Sequence, residues 1–526
     1  MSLSQVQIAR ARHVAEPSRG RPDDNRRVSN RSIPLILFLL ALACYSYVVP
    51  VPNWNQNSRL ALIMSVVNRH QLTIDAYQGI TGDKARYHGH YYSDKAPGTA
   101  LLGVPVYALL SGLQHLDRRP QFTRRVRYPL YLTTLGAVAL PAAALCALLY
   151  YLLLLLSGRR LWAVALSLCY GLGALAFPFS TLLFEHQDTA ACAFAAFVAL
   201  VKARRSARSA RWLLAGGLLV GLAVLMETQA ALCAIALAVY AASFVRPLRQ
   251  LAYYVLGGVP AAALILGYNW ATLGSPLRFA YQYVYNPIFR GMHSGFFGVS
   301  VPRWSSLVAI LFSSRGMLTQ SPLLWFVPLG AWGMWRAARW RRECLLCLAL
   351  GLAFIVYNAG YFLPLGGQSP GARFLIPVLP FVVVPLAFIP ALPRPYSAVA
   401  GALAALAGLY GIGVCALITI VNPLAPEFVP DPLADYWLPL FRRGAILTNV
   451  GALRYGLRGL WSLAPLGVFL LCAMGVLTVA VAGRGPRGAD RVAWAGVVGL
   501  LVIGYLMLAF PLDPLHLDAI PGIFRK

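Results

Sequence analysis

The chain has 526 residues, of which 59% are hydrophobic and 12% are charged, and its mean hydropathy is +0.65. A soluble protein of this length needs far more polar surface, so the composition excludes a soluble class and predicts a polytopic membrane protein. The net charge of +28 comes almost entirely from arginine. In a membrane protein such an excess indicates cytoplasmic loops and lipid phosphates as partners, and not nucleic acid.

Repeated apolar runs near 20 residues, separated by short basic or Gly/Pro loops, predict an all-α bundle of about 13 transmembrane helices and not a barrel. Residues 1–32 are polar and Arg-rich and are predicted to be a disordered cytoplasmic tail. The predicted spans cover residues 33–51, 128–156, 161–182, 187–202, 212–226, 229–245, 251–270, 322–336, 344–361, 373–391, 396–421, 460–482 and 492–511.

The segment 98–116 decides the predicted orientation, because every later loop changes side if it crosses the membrane. It is short and interrupted by Gly and Pro, so we expect an interfacial or re-entrant helix, with a full crossing as the alternative. The dense basic loops then lie on the inside together with the tail, as the positive-inside rule requires. The cost is the basic stretch 118–127, which is then placed outside.

The first outer loop, residues 52–127, concentrates ionisable groups in an otherwise apolar chain, which indicates chemistry or binding. Apolar residues at helical spacing within 58–69 predict a helix that lies on the membrane surface. A short extended piece is expected at 72–75 and a turn at 81–84. The aromatic stretch 88–92 is suited to stacking on a sugar ring, and Pro97 stands at a favoured position for a helix start.

Several functions and sites are excluded or disfavoured by what the sequence lacks. There is no P-loop pattern and no long polar stretch for a nucleotide-binding domain, so an ATP-driven pump is not predicted. Cys344 and Cys347 have no second cysteine pair, and no disulfide or metal site is predicted from them. His88 and His90 are more typical of interfacial histidines than of ligands, so no cofactor is assigned, although a divalent cation stays open.

Four short motifs in one order resemble those of the GT-C glycosyltransferases, in particular the protein O-mannosyltransferases and the bacterial aminoarabinose transferases of lipid A. The first is Asp94-Lys95-Ala96-Pro97, which precedes a short apolar helix and follows an N-terminal span and a juxtamembrane helix. The others lie within 179–186, 221–227 and 371–377. The resemblance covers residues 33–390, a catalytic transmembrane domain, and leaves 391–526 as further helices with an outer loop at 422–459.

The resemblance implies an enzyme that transfers a sugar from a polyprenyl-phosphate donor on the non-cytoplasmic face, with one carboxylate as general base and cations at the leaving phosphate. Lys95 matches the family's lysine beside the phosphate, and Arg373 and Lys84 are further candidates. The family's usual acid on the juxtamembrane helix is missing, because residues 56–59 read Gln-Asn-Ser-Arg. The candidate bases are therefore Asp94 first and Asp83 second, with Asp75 as a third.

Further substrate contacts are expected from residues of the first outer loop and of two outer helix ends: Arg59, Tyr91, Tyr92, Glu185, His186 and Glu227. Each has a simpler interpretation, because Asp94–Lys95 suits a surface ion pair, Asp83–Lys84 a turn, Glu185 and His186 a solvated helix end, and Arg373 a snorkelling arginine.

The function prediction is a multi-pass glycosyltransferase of a bacterial plasma membrane. Its partners are the polyprenyl-linked donor, membrane lipids and a lipid, glycan or protein acceptor. One alternative is a transporter or flippase, for which inverted repeats or broken helices at the midplane would be expected and are not evident. The other is a non-catalytic lipid-binding protein, which the missing juxtamembrane acid permits.

Overall fold

A computed structural model describes residues 24–114, 127–482 and 490–509, and this part of the chain is an assembly of helices with one small hairpin. The predicted all-α architecture is confirmed. The first ten α-helices are α1 Asp24–Tyr47, α2 Trp54–Arg69, α3 Gly98–Gln114, α4 Arg127–Ser157, α5 Arg160–Gly173, α6 Ala176–Ser180, α7 His186–Arg204, α8 Ser209–Met226, α9 Ala231–Ala242 and α10 Leu251–Leu273.

The second half of the chain is also helical, and 3-10 segments more often separate its α-helices. Its α-helices are α11 Trp304–Phe312, α12 Met317–Gln320, α13 Val327–Arg336, α14 Arg341–Gly360, α15 Leu379–Val383, α16 Tyr396–Val421, α17 Leu438–Arg442, α18 Val450–Tyr455, α19 Ala464–Val481 and α20 Asp490–Ala509. The 3-10 segments are Asp75–Ile80, Thr228–Ala230, Leu248–Gln250, Ala280–Tyr283, Pro287–His293, Pro322–Phe326, Ala338–Trp340, Arg373–Val378, Val384–Ala391 and Gly459–Leu463. Single π-helical turns occur at Leu135–Ala139 within α4 and at Leu433–Trp437.

Seven helices in the described ranges are long and apolar enough to cross a membrane, judged by length and composition, and all seven coincide with predicted spans. They are Arg127–Ser157, Ser209–Met226, Leu248–Leu273, Ala338–Gly360, Arg373–Ala391, Tyr396–Val421 and Gly459–Val481. Four shorter apolar helices are Ser32–Tyr47, Gly98–Gly112, Arg160–Gly173 and Thr228–Ala242. The count of about 13 crossings, the domain limits and the orientation stay predictions.

The first helix begins earlier than the sequence suggested. α1 starts at Asp24, whereas a span from residue 33 was expected after a disordered tail. Residues 1–23 of that predicted tail lie outside the described residues. Residues 118–126 of the basic stretch 118–127 also lie outside them. Most of the apolar part of α1 from Ile33 onward is buried in the main hydrophobic core, where it packs against α4 and α19.

Close helix packing in the bundle depends on glycines at one crossing. A Cβ atom on Gly217 of α8 would lie 1.8 Å from the carbonyl oxygen of Tyr254, and a Cβ on Gly257 of α10 would lie 2.1 Å from that of Leu214. Small residues allow membrane helices to approach until their backbones touch, and packing contacts then hold them together. These two glycines therefore fix how α8 and α10 cross.

The amphipathic helix predicted at 58–69 is present, but it does not have one polar face in solvent. α2 begins at Trp54, where the Asn53 side chain accepts a hydrogen bond of 3.0 Å from the Gln56 backbone N–H, a normal N-cap. All residues from Asn55 to Ser65 are buried. Its polar side chains face the ionic groups described below and its apolar ones pack beneath the loop, so it is covered by the chain itself, and its position at the membrane surface stays a prediction.

A hairpin occupies the region where only an aromatic stretch and a turn were predicted. β1 Lys84–Tyr87 pairs antiparallel with β2 His90–Ser93, with Lys84 opposite Ser93. The connecting residues His88 and Gly89 both have positive φ, at 47° and 87°, as a two-residue hairpin turn requires. α3 then starts directly after the hairpin and packs on α2, with Gly103 next to Ile63. Whether α3 crosses the membrane stays open.

Candidate functional site

Asp83, Asp94 and Lys95 form the centre of the candidate site. The Lys95 Nζ atom lies 2.9 Å from Asp83 Oδ2 and 3.0 Å from Asp94 Oδ2, so one ammonium group is shared by two carboxylates. All three side chains are at least nine-tenths buried. The arrangement follows from the hairpin. Asp83 immediately precedes β1 and Asp94 immediately follows β2, so the pairing of Lys84 with Ser93 brings the two carboxylates side by side.

Burial and mutual attraction set the protonation of this centre. Removal from water raises the pKa of Asp94 above its usual range, although the neighbouring Lys95 ammonium lowers it. For Lys95, burial alone would lower the pKa, but the Asp83 and Asp94 carboxylates outweigh it and raise the pKa above its usual value. Lys95 is therefore a fixed cation, and Asp94 is a carboxyl group whose proton is held more tightly than in water, which suits a general base.

Asp94 and Lys95 line a narrow cleft rather than facing bulk solvent. The cleft is small, with a cavity volume of about 30 Å³, and its wall includes Tyr268, Phe279 and Tyr281. Asp94 is further held by Ser58 of α2, whose hydroxyl donates a hydrogen bond of 3.4 Å to Asp94 Oδ1. Asp83 Oδ1, in contrast, is buried and has no hydrogen-bond partner among the described residues.

A second ion pair stands beside the first. The Arg59 guanidinium of α2 donates a short hydrogen bond to the Glu185 carboxylate, and both residues are buried. Burial alone would raise the pKa of Glu185, but Arg59 first, then His186 and Arg373, bring it down to about 2. The position where the resemblance led us to expect an acid thus holds a cation. Its carboxylate partner comes from the turn before α7, more than a hundred residues later in the chain.

Arg373 is a cation of the site that contacts no carboxylate among the described residues. Its Cζ atom lies 5.2 Å from the ring centre of Phe184 and 5.1 Å from that of Phe374. Its Nε is buried and has no hydrogen-bond partner, and no ion pair among the described residues involves it. Glu185, Tyr361 and Asp83 are near enough to interact with it electrostatically. An arginine held between two rings with a free donor is ready for an anion.

Glu185, His186 and Glu227 are the group that could hold a metal ion within the described part of the chain. One ligand atom from each lies within 4.8 Å of the others, and all three residues are buried. Their present contacts are of another kind, because Glu185 is paired with Arg59 and His186 Nδ1 lies 3.0 Å from Glu227 Oε1. The positive charge of Arg59, which is bonded to Glu185, repels a metal cation at the same carboxylate. The three residues therefore fit a metal ion poorly.

The remaining predicted residues lie apart from this centre. Asp75 accepts a hydrogen bond of 2.7 Å from the Tyr91 backbone N–H and contacts His90 Nδ1 at the same distance, and its side chain is 40% exposed. Asp75 therefore anchors the hairpin instead of sharing the base role. Lys84 donates to the Gln78 carbonyl at 3.0 Å and lies 4.7 Å from the Tyr91 ring, so it contacts neither Asp83 nor Asp94. Tyr92 is half-buried on the opposite hairpin face.

The structure also brings further residues close to the site. Tyr281 and Tyr361, from two separate loops, lie within electrostatic reach of Asp94 and Glu185. Arg315 is buried and makes no ion pair in the described ranges. Its guanidinium donates to the carbonyls of Ser369 at 3.1 Å, of Val429 at 3.0 Å, and of Pro426. It thereby fastens the loop that leads into Arg373. Arg315 stands in an unpatterned stretch, and only the folded contacts reveal it.

Two solved structures are similar to this chain at low sequence identity. ArnT from Cupriavidus metallidurans bound to undecaprenyl phosphate is 15% identical, with a TM-score of 0.46 over 93% of this chain and 76% of that one. The archaeal oligosaccharyltransferase AglB from Archaeoglobus fulgidus, in complex with an inhibitory peptide and a dolichol-phosphate, is 15% identical, with a TM-score of 0.47 over 78% of this chain and 59% of that one. No protein-family profile and no curated protein sequence matches.

ArnT is a lipid A aminoarabinose transferase, one of the two groups whose motifs the sequence resembles. At these identities and scores the likeness is one of overall fold. What the site can do therefore has to follow from its own residues, which combine two shared carboxylates, a fixed ammonium group and an unpaired arginine.

Proposed function

We propose that this protein is a membrane glycosyltransferase that moves a sugar from a polyprenyl-phosphate donor to an acceptor hydroxyl on the predicted non-cytoplasmic face. The observation that carries the proposal is the unpaired Arg373 guanidinium close to the Asp83–Lys95–Asp94 centre. Arg373 is half-buried, makes no ion pair in the described part of the chain, and has a buried Nε without a hydrogen-bond partner, which favours an anionic ligand that completes the site. A prenyl phosphate is such a ligand, and its tail remains in the membrane.

In the proposed reaction the acceptor oxygen forms a new bond to the anomeric carbon as the bond from that carbon to the phosphate oxygen breaks. The bonding electrons leave with the polyprenyl phosphate, which gains a negative charge that Arg373 and Lys95 stabilise. The acceptor proton passes to a carboxylate, and attack opposite the leaving group inverts the anomeric centre. Asp94 is the first candidate for this base because it lines the cleft and burial raises its pKa.

Asp83 is the second candidate, since its Oδ1 has no partner in the described ranges. Its disadvantage is that it does not contribute to the wall of the cleft. In the favoured assignment Asp83 holds Lys95 in place from the other side. Conversion of each residue to its amide separates the role of general base from that of holding Lys95. An amide cannot accept the acceptor's proton, but it keeps the shape of the site.

The test uses the full chain in vesicles that contain a radiolabelled polyprenyl-phosphate sugar, with release of the free polyprenyl phosphate as the readout. We expect Arg373→Ala and Lys95→Ala each to lower turnover about 100-fold, the usual effect of losing one group that stabilises developing charge. Arg373→Lys should recover part of the loss. Arg394→Ala and Lys202→Ala are matched controls, because Arg394 is exposed and Lys202 lies against Tyr151 and Trp212 elsewhere.

The alternatives predict different results in the same vesicles. Movement of the labelled lipid between leaflets without cleavage would support a flippase. Binding of the donor without cleavage or movement, lost in Arg373→Ala, would support a lipid-binding protein. Donor cleavage that persists unchanged in both Arg373→Ala and Lys95→Ala would show that this site is not the seat of transfer.

A further inference from the structure

A cluster of tyrosines and cations on one face of the hairpin has no part in the proposed transfer step. The antiparallel register places Arg86 opposite Tyr91 and Lys84 on the same face two residues earlier. Tyr285, from the segment that pairs with β1 at Ala85, completes the group with its ring centre 5.4 Å from that of Tyr91. We call Lys84, Arg86, Tyr91 and Tyr285 the tyrosine–arginine surface.

The Tyr285 ring is presented to solvent, Tyr91 is half-buried, and both rings are flanked by positive charge from the exposed Arg86 and the buried Lys84. The Tyr285 side chain is 48% exposed, and Arg86 is exposed as well. The Arg86 Cζ atom lies 5.7 Å and the Lys84 Nζ atom 4.7 Å from the centre of the Tyr91 ring. No ion pair among the described residues involves Arg86. Its guanidinium is thus free to bind an anion while it stacks on a ring.

The charge of the surrounding loop is one-sided. The sequence contains no Asp or Glu between Glu227 and Glu343, whereas Arg278, Arg290 and Arg303 lie in the segment that borders the surface. Three acids lie near the hairpin, and each already has a partner: Asp75 contacts His90, and Asp83 and Asp94 share Lys95. A surface with several cations and no acids in the neighbouring segment attracts anions and repels cations.

The tyrosine–arginine surface lies on the hairpin that also positions the proposed reaction centre. Lys84 directly follows Asp83 in the chain, and the Phe289 ring, next to Arg290, lies 6.0 Å from Lys95 Nζ. The surface and the carboxylates of the reaction centre are therefore held by the same short element. This proximity separates the surface from a general belt of interfacial aromatics, which would be spread around the protein at the membrane boundary.

We propose that the tyrosine–arginine surface binds an acidic carbohydrate, with a sugar ring stacked on the exposed Tyr285 beside Tyr91 and an anionic group bound by Arg86. Exposed tyrosine rings offer flat apolar faces to sugar rings, and arginine binds carboxylate or phosphate in a two-pronged manner. The further statement that this carbohydrate is the acceptor rests on the proposed transferase function. The binding itself does not depend on that function.

The simpler account is that the cations only hold the hairpin together by contacts with the rings. That account requires the rings and charges to stabilise the fold and predicts no ligand. Measuring the thermal stability of each variant therefore runs beside the binding assay. A variant that keeps the wild-type melting temperature but loses binding cannot be explained by a role in folding.

The experiment measures binding of a fluorescent galacturonate hexamer to the full chain in lipid nanodiscs, without any donor. The matched probes are maltohexaose, which is neutral, and a hexaglutamate peptide, which is anionic but has no sugar rings. We expect the galacturonate hexamer to bind at least about tenfold more tightly than either matched probe. Arg86→Ala and Tyr285→Ala should each weaken it about tenfold, about 1.4 kcal/mol. Tyr285→Phe keeps the ring and should bind nearly as wild type, and Arg249→Ala is the charge control.

Equal binding of hexaglutamate, or galacturonate binding that Arg86→Ala and Tyr285→Ala leave unchanged, overturns the proposal. So does the absence of any saturable galacturonate binding at millimolar concentration. The Asp94→Asn variant keeps the two proposals apart, because it should bind the hexamer as wild type even though it cannot transfer. Hexamer binding without transfer in the wild type would contradict the transferase proposal and support the carbohydrate-binding proposal. Transfer without hexamer binding would support the transferase proposal and contradict the carbohydrate-binding proposal.

Discussion

The buried Arg59–Glu185 pair gives a prediction whose size follows from the structure. Arg59, with support from His186 and Arg373, lowers the pKa of Glu185 from its usual 4.5 to about 2 against the opposing effect of burial. At about 1.4 kcal/mol per pH unit, this difference corresponds to about 3 kcal/mol of stabilisation of the charged carboxylate in the folded state. The loss of one partner from a buried pair is expected to cost a similar amount, about 3–5 kcal/mol.

The perturbations are Arg59→Met, Glu185→Gln and the double variant, combined in a double-mutant cycle. The readout is the free energy of unfolding of the detergent-solubilised chain, measured by reversible denaturation at pH 6. We expect each single variant to lose about 3 kcal/mol and the double variant to lose much less than the sum, with a coupling of about 2–3 kcal/mol. The exposed His90–Asp75 contact serves as the control, because exposed pairs couple by less than about 1 kcal/mol.

The pH dependence supplies an independent check of sign. Glu185 has a lower pKa in the folded state than in the unfolded state, so its contribution is fully present above about pH 4.5 and is lost as the pH falls towards about 2. The stability difference between wild type and Glu185→Gln should therefore shrink as the pH is lowered from 5 to 3. A coupling below about 0.5 kcal/mol at pH 6, or a stability difference that grows in acid, would refute this assignment of Arg59 and Glu185.

Three further predictions concern the base, a loop and a helix crossing. Burial raises the pKa of Asp94, so wild-type turnover should begin to fall, as the pH is lowered, at a pH above the ordinary carboxyl range. Asp94→Asn should lose turnover at every pH, while Asp83→Asn should keep a measurable rate. Arg315→Ala frees the loop held through Ser369 and should raise the donor KM several-fold with a smaller change in kcat, whereas a direct role in chemistry would lower kcat. Gly217→Leu collides with the Tyr254 carbonyl, 1.8 Å from a Cβ atom, and should lower thermal stability by more than Gly467→Leu on α19, where no atom lies within 4 Å.

Much of the fold was predictable because membrane-spanning helices leave a strong compositional signal. Runs such as 396–421 and 128–156 were placed within a residue or two of the observed helices. The segment 322–336 was predicted as a single span, and it is a 3-10 stretch from Pro322 followed by a helix from Val327. The hairpin was missed because its strands are only four residues long and carry charges and aromatics on both faces. A two-residue His-Gly turn is also a weaker signal than Asn-Gly.

At the candidate site the sequence supplied the residues but not their partners. Asp94 and Lys95 were found because they lie in a loop rich in ionisable groups and match a motif of the GT-C resemblance, and Asp83 because it shares that loop. The pairing of Arg59 with Glu185 could not be read from the chain, because the two residues are brought together only by the packing of α2 against the turn before α7. The isolation of Arg373 is likewise a property of its surroundings, since an arginine in a sequence says nothing about what faces it.

The distribution of charge in the site accounts for an anionic ligand better than for a metal ion. The cations of Arg59, Lys95 and Arg373 lie near the carboxylates of Asp83, Asp94 and Glu185, but the three cations contact different numbers of these carboxylates. Lys95 has two carboxylates, Arg59 has one, and Arg373 has none in the described ranges. A divalent cation would have to displace Arg59 from Glu185 and would leave Arg373 unmatched. A phosphate at Arg373 matches the one unpaired cation and leaves a carboxylate beside Lys95 to take the acceptor proton, so a single ligand satisfies both ends of the site.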